Sequence, residues 1–408
     1  MLVEPFCVLL DRLERARPSS RLLVAWAACA LPRAALAAIV GLDEDYGFFV
    51  HGRTNSAWYP LYEWLAASLW SLTGGSLRLY FAAHLALHSL LGPIVYALTR
   101  KLGLGGRAAW LAVLGVAVMP YYVSLSARQP QVGITIVMIA ALVLAYAGWT
   151  VGRRPPGMGI LFAAMSGLTI AIRPNAVSVI AVLYLLALAG TGARPRDDKR
   201  GRLVSVLTSG AVFAAVLLAL AAINLQREGR FSPFTGNVGF NLYVGNNPRL
   251  GEYALRYDIT SLQDSLNESL PPDYATTPNE ERDDLLRRAA LDYISAHPWQ
   301  TIRNAALKSW RYWDPRLEDA RLTPLHWNLA YTVPYVVYGL LAFGGAWILW
   351  KRGPRFALLV IVATLLAYWL PHAVFFGTVR MRMTTEFLLI VLAACAVAAW
   401  IDDRRGAG

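Results

Sequence analysis

VGITIVMIAALVLAYAGWT, residues 132–150, carries no charged residue and is followed two residues later by the Arg153-Arg154 pair. A helix of this length nearly matches the roughly 30 Å hydrocarbon core of a bilayer. Working outward, comparable apolar runs occur near 22–40, 78–98, 108–125, 158–172, 175–190, 203–224, 328–350, 355–371 and 386–401. Several are sharply bounded by arginine. The chain of 408 residues is 56% hydrophobic and only 16% charged, where a soluble domain carries about a quarter. The sequence therefore predicts an all-α polytopic membrane protein with about ten transmembrane helices.

The formal net charge of +12 raises the question of nucleic acid, but the basic residues sit in short turns between apolar runs rather than on one soluble face. A nucleic-acid partner is not expected. With the amino terminus cytoplasmic, one side collects Arg12, Arg15, Arg17, Arg21, Arg100, Lys101, Arg107, Arg153, Arg154, the stretch ARPRDDKRGR at 193–202, Lys351, Arg352, Arg404 and Arg405. Short basic loops mark the cytoplasmic face, so both termini are expected there. The opposite side receives the 41–52 loop, ARQPQ at 127–131, the segment 226–327 and the loop after Leu370.

This divides the chain into a transmembrane core, 1–225, with a first outer loop at 41–77; an extracytoplasmic subdomain, 226–327; and carboxy-terminal transmembrane helices, 328–408. The first apolar run lacks a small-residue cleavage site, so it reads as a retained span. Cys7, Cys29 and Cys395 fall in none of the outer loops, which leaves no disulfide framework outside.

The outer side holds the unusual chemistry. GLDEDYGFFVHG, 41–52, places Asp43, Glu44 and Asp45 directly beyond a hydrocarbon run. Clustered carboxylates need open water or something to bind. Next, WYPLYEWLAASLWSLTGG at 58–75 repeats Tyr62, Leu65, Ala66, Leu69 and Leu72 at helical spacing with interleaved tryptophans, the pattern of a helix in the headgroup layer. NEERDDLLRRAALDYISA, 279–296, reads as an amphipathic helix. HPWQTIRNAALKSWRYWDP, 297–315, reads either as a basic interfacial helix or as one that turns Lys308 toward a phosphate.

Arginine recurs on the same side from separated segments: Arg33 within the first span, Arg78 opening the second, Arg173 in an Arg-Pro-Asn turn, and Arg380 and Arg382 before the last span. Charged groups at membrane depth mark cavities or partners. Converging guanidinium groups beside a bilayer match the phosphate or pyrophosphate of a lipid headgroup. GxxxxGK[ST], GxSxG and HExxH motifs do not occur, so nucleotide hydrolysis, acyl transfer and zinc proteolysis lack their signatures. His84 and His88 stand four apart, and Asp43, Asp45 and His51 form an incomplete ligand set. A divalent cation is therefore left open, and no other cofactor is expected.

Taken together these residues resemble the membrane glycosyltransferases of the GT-C superfamily, in particular bacterial relatives of protein mannosyltransferases and aminoarabinose transferases. The likeness runs over nearly the whole chain. It rests on Asp43-Glu44-Asp45-Tyr46 after Arg33; on Arg173-Pro174-Asn175; on the G-x-N-x-Y-x-G-N-N-P stretch from Gly239 to Pro248, with Asn246 and Asn247; on His297 to Trp313 with Lys308; and on Arg380-Met381-Arg382. The last departs from the family's R-Y-R-x-P, with methionine for tyrosine and no proline following.

The resemblance implies a GT-C-like fold in a bacterial inner membrane. It implies inverting transfer of a sugar from a polyprenyl-phosphate donor to an extracytoplasmic lipid, glycan or protein, with the first-loop aspartate as base. Asp43, Glu44 and Asp45 are then the catalytic candidates, and Arg33, Tyr46, Arg78, Arg173, Asn246, Asn247, Lys308, Arg380 and Arg382 the substrate-binding ones. General reasoning arrives at the same division of labour: a carboxylate takes the acceptor's proton and cations stabilise the departing phosphate. The alternative class is a transporter or flippase of lipid-linked sugars, against which stands the lack of an internal duplication.

Overall fold

The computed structural model describes residues 3–40, 60–128, 130–151, 156–191, 199–229, 231–234, 238–250, 269–316, 325–377 and 379–406. Among these residues every regular element is helical. Among the described residues six helical stretches are long and apolar enough to cross a membrane: Pro18–Ala38, Leu77–Lys101, Gln131–Thr150, Lys199–Arg227, Asn328–Arg352 and Arg355–Val374. Gly106–Val118, Gly157–Ile172 and Pro174–Leu188 are shorter apolar helices. The last apolar run forms the helix Glu386–Gly406, with Glu386 at one end and Arg404 and Arg405 at the other. The chain thus has the make-up of an integral membrane protein, since helices satisfy their own backbone where no water reaches.

Prolines divide runs that hydropathy alone would leave whole. The 108–125 run is two helices, Gly106–Val118 and Pro120–Arg128, hinged at Met119, whose backbone is extended. Proline at 120 disfavours the helical conformation in the residue before it. Likewise Pro93 has no N–H for the carbonyl of Ser89, and the second run divides at Leu90 into Leu77–Ser89 and Leu91–Lys101. Arg173 is extended before Pro174, so the sixth run opens on a single 3-10 turn, Pro174–Ala176.

The Glu386–Gly406 helix runs centrally, between Leu325–Arg352 on one side and Gly106–Val118 on the other. Leu91–Lys101, Pro130–Thr150, Pro156–Ile172 and Lys199–Glu228 continue outward in that order, while Val177–Leu188 packs on Arg355–Val374. Gly92 sets one of the closest approaches. A Cβ there would stand 2.2 Å from the carbonyl oxygen of Ala25, so only glycine lets these two helices touch at this level. Lys199–Glu228 and Leu325–Arg352 keep most of their apolar surface exposed, including Leu207, Leu218, Phe343 and Trp347, as a helix facing lipid does.

The two ends of the bundle differ in chemistry. At one, Asp11 and Glu14 of the amino-terminal helix Val3–Arg15 pair with Arg21, Arg100, Arg107 and Arg405. At the other, Val238–Gly245 and Asn279–Ala296 share a small apolar core of Leu242, Tyr243, Leu286 and Ala290, and Phe375 packs against it. The helix Pro298–Trp313 follows and lies against Arg355–Val374.

Candidate functional site

The second end is organised around the turn that follows the Arg355–Val374 helix. Val238–Gly245 is fixed first by Asp283, whose carboxylate accepts from the backbone N–H groups of Gly239 at 3.1 Å and Phe240 at 2.9 Å. Carboxylates suit this position because the first N–H groups of a helix have no intrahelical partner. The other end of that helix meets the turn itself. A Cβ at Gly245 would stand 1.5 Å from the carbonyl oxygen of Phe375, so the two backbones touch where a side chain would separate them.

Lys308 and the asparagines complete this junction. Lys308, 3% exposed, donates from Nζ to the carbonyls of Gly245 at 2.9 Å, Val374 at 2.6 Å and Phe375 at 3.1 Å. Burial opposes the charge and pulls the amine from the usual lysine range down to about 7. Asn246 donates to Leu242 and Val374, each at 2.9 Å. Asn247 donates to Tyr243 at 3.0 Å and accepts from the N–H of Arg249 at 3.0 Å. These side chains thus hold backbone together, and the G-N-N-P stretch works as a clasp on the 374–375 turn.

Beyond the turn, the short helix Val379–Arg382 carries the last arginines. Arg382 is buried and paired with the buried Glu386, four residues on, through Nε and Oε1. Its Nη1 donates to the carbonyls of Tyr312 at 3.2 Å and Asp314 at 2.6 Å, and its guanidinium lies 3.8 Å from the ring centroid of Tyr335. Tyr338 donates to the other Glu386 oxygen at 2.7 Å. A guanidinium bound on so many sides ties four segments together. Arg380, two residues earlier, is partly exposed and makes no ion pair among the described residues.

The remaining cations fall into different settings. Arg33 is 2% exposed, donates to the Cys29 carbonyl at 2.7 Å and lies within electrostatic range of Tyr122, whose hydroxyl donates to Met383 O at 2.9 Å. Arg173 is half-buried; its Nη2 contacts Met381 Sδ, and it stands within electrostatic range of His372. Arg78 is exposed on the first turn of Leu77–Ser89.

Asp43, Glu44, Asp45, Tyr46 and His51 lie outside the described residues, but the chain on either side of them is placed. Ala37 and Leu61, which bracket the segment, join Tyr62, Tyr80 and Ile172 in one apolar cluster, and Ile172 immediately precedes Arg173. Among the described residues no group of three or more His, Cys, Asp or Glu side chains gathers as a metal-ligand set. The rings of His84 and His88 are 5.9 Å apart, packed with Tyr80 in the same apolar surroundings.

Sequence reasoning passed over two members of this region. Glu386 was legible as an acid four residues beyond Arg382, a spacing that brings helical neighbours together. His372, buried, holds the Phe376 carbonyl at 3.0 Å from Nδ1 and stacks on Tyr312 with centroids 5.6 Å apart. A histidine in an apolar run gives no sign of the partners it will find. Comparison with protein-family models, curated proteins and solved structures returns no match for the chain.

Proposed function

We propose that the protein is a membrane glycosyltransferase that moves a sugar from a polyprenyl-phosphate donor to an extracytoplasmic acceptor, inverting the anomeric centre. The observation that carries this reading is the contact of Arg173 with Met381, which brings two separated arginine-bearing segments together. Ala37 and Leu61, which flank the segment that holds Asp43, Glu44 and Asp45, join Ile172, the residue before Arg173, in one apolar cluster. In this reading the bundle makes about ten crossings of a bacterial plasma membrane, with both termini cytoplasmic.

The chemistry assigns distinct tasks. Asp43 accepts the proton of the acceptor nucleophile as that atom bonds to the anomeric carbon, and the bond from that carbon to the lipid phosphate oxygen breaks with its electron pair on oxygen. Arg380 and Arg173, which keep surface open to a ligand, stabilise the phosphate as its charge grows. Lys308 and Asn246 act one step back by holding the 374–375 turn, Asn247 by bracing the end of Val238–Gly245, and Arg382 by fixing the short helix that carries Arg380. A phosphate-binding task for Lys308 or Arg382 would require each to abandon its carbonyl partners.

Transfer from defined polyprenyl-phosphate sugars by reconstituted protein tests the proposal. Asp43→Asn keeps shape and removes the proton acceptor, so turnover should fall about 10²–10⁴-fold with donor binding intact. Asp45→Asn should be milder unless it holds a metal, in which case chelation of the wild type reproduces its defect. Transfer at a few tenths of the wild-type rate in Asp43→Asn would refute the base assignment. Donor movement across the bilayer without transfer would favour the flippase class instead.

A further inference from the structure

The Val3–Arg15 helix takes no part in that reaction and sits at the opposite end of the bundle. Asp11 and Glu14 are turned inward. Asp11 pairs with Arg107 and Arg405, each at 3.0 Å, while Glu14 meets Arg100 at 3.2 Å and accepts from the Tyr96 hydroxyl at 2.7 Å. These partners stand at the ends of Leu91–Lys101, Gly106–Val118 and Glu386–Gly406, so the helix lies across the ends of three bundle helices. Leu10 enters the apolar cluster of Ala25, Tyr96, Trp110 and Val113 and seats it there.

With the acids engaged inward, the outward side is apolar and cationic. Val8 is 43% exposed and Leu9 52%, and with Glu4, Pro5 and Arg12 they line a shallow groove. Arg12, Arg15 and Arg17 are exposed, against Glu4 as the one exposed acid among described residues of this stretch. Exposed apolar residues resume in the next helix. Leu22 and Leu23, the latter 65% exposed, stand near the start of Pro18–Val40, which follows after two residues and is itself long and apolar enough to cross a membrane.

We propose that this face docks on an anionic lipid leaflet, with Val8, Leu9 and Leu23 entering the boundary between headgroups and acyl chains and Arg12, Arg15 and Arg17 meeting lipid phosphates. The occupant follows from continuity and charge. A surface that merges into a membrane-crossing helix meets lipid at that level, and an amphipathic helix with arginine beside exposed leucine and valine is suited to the interface plane. The net positive outward face selects anionic over zwitterionic headgroups. The role is independent of the transfer reaction.

The test uses the full chain in vesicles of phosphatidylcholine with and without phosphatidylglycerol. Leu9→Cys is labelled with an environment-sensitive fluorophore, which is selective because Cys7, Cys29 and Cys395 are buried. Lipids spin-labelled near the headgroup should quench the label, and aqueous iodide should not reach it. The ratio of quenching by anionic to zwitterionic spin-labelled lipid should exceed about two at low salt, because arginines at the surface attract anionic headgroups. Arg12→Gln, Arg15→Gln and Arg17→Gln together should bring that ratio to near one while leaving the protein folded. Free iodide access would overturn the proposal, and so would enrichment that survives the triple variant. Shielding from iodide without quenching by lipid would assign the face to a protein contact and overturn it as well.

Discussion

Replacing Glu386 by Gln isolates the energetic role of the buried pair. Arg382 and Glu386 are both almost wholly removed from solvent, and the guanidinium is also held by two carbonyls and the Tyr335 ring. Glutamine preserves size and still accepts from Tyr338, but it leaves a full positive charge buried without a counter-charge. Removing one partner of a buried pair costs about 3–5 kcal/mol, because the other charge keeps its desolvation penalty. Arg382→Met alone should cost a similar amount, since it strands the carboxylate and frees the Tyr312 and Asp314 carbonyls. Removing both charges, Arg382→Met with Glu386→Gln, leaves no uncompensated ion. The double variant should then lose about 2 kcal/mol less than the sum of the singles, the stranded Tyr312 and Asp314 carbonyls accounting for what remains. Denaturant titration in mixed micelles, monitored by tryptophan fluorescence, measures all three. A Glu386→Gln change below about 1 kcal/mol, or strict additivity, would refute the view that Arg382 is a structural tie.

Three further outcomes are expected. Lys308, lowered from the usual lysine range to about 7, binds fewer protons folded than unfolded between about pH 7 and 10.5. Stability should therefore rise with pH through that window and lie flat below it, and thermal melts of Lys308→Met should lose that part of the slope. Gly245→Ala must push Phe375 away and should cost about 1–3 kcal/mol or more, whereas Gly210→Ala, with nothing within 4 Å of the new Cβ, should stay within about 1 kcal/mol of wild type in the same titration. Single cysteines introduced near Tyr253 and Asp273 should react with an impermeant reagent outside intact cells and one near Arg196 should not; labelling at Arg196 would reverse the orientation.

Much of the architecture was open to reading from residue order. The 132–150 run, the 279–296 amphipathic helix and the helix ending at Trp313 all occur where periodicity and hydropathy put them. The helix breaks at Met119 and Leu90 were harder to see because the apolar runs continue through Pro120 and Pro93, and average hydropathy does not register a missing N–H. The outer-side cations were legible as a group and not as individuals. Lys308 and Arg382 look from the sequence like Arg380, yet the structure binds the first two to carbonyls.

Membrane class follows from local composition, because some twenty consecutive apolar residues have one stable state in a bilayer whatever their neighbours are. The availability of a charge is a different kind of property. It depends on which carbonyls and carboxylates arrive beside it, and those come from far along the chain: Gly245 to Lys308, Tyr312 to Arg382, Asp11 to Arg405. No pattern around a single residue contains that information, since an arginine free to meet a phosphate and one locked against a backbone oxygen differ only in what the fold brings within about 3 Å of them.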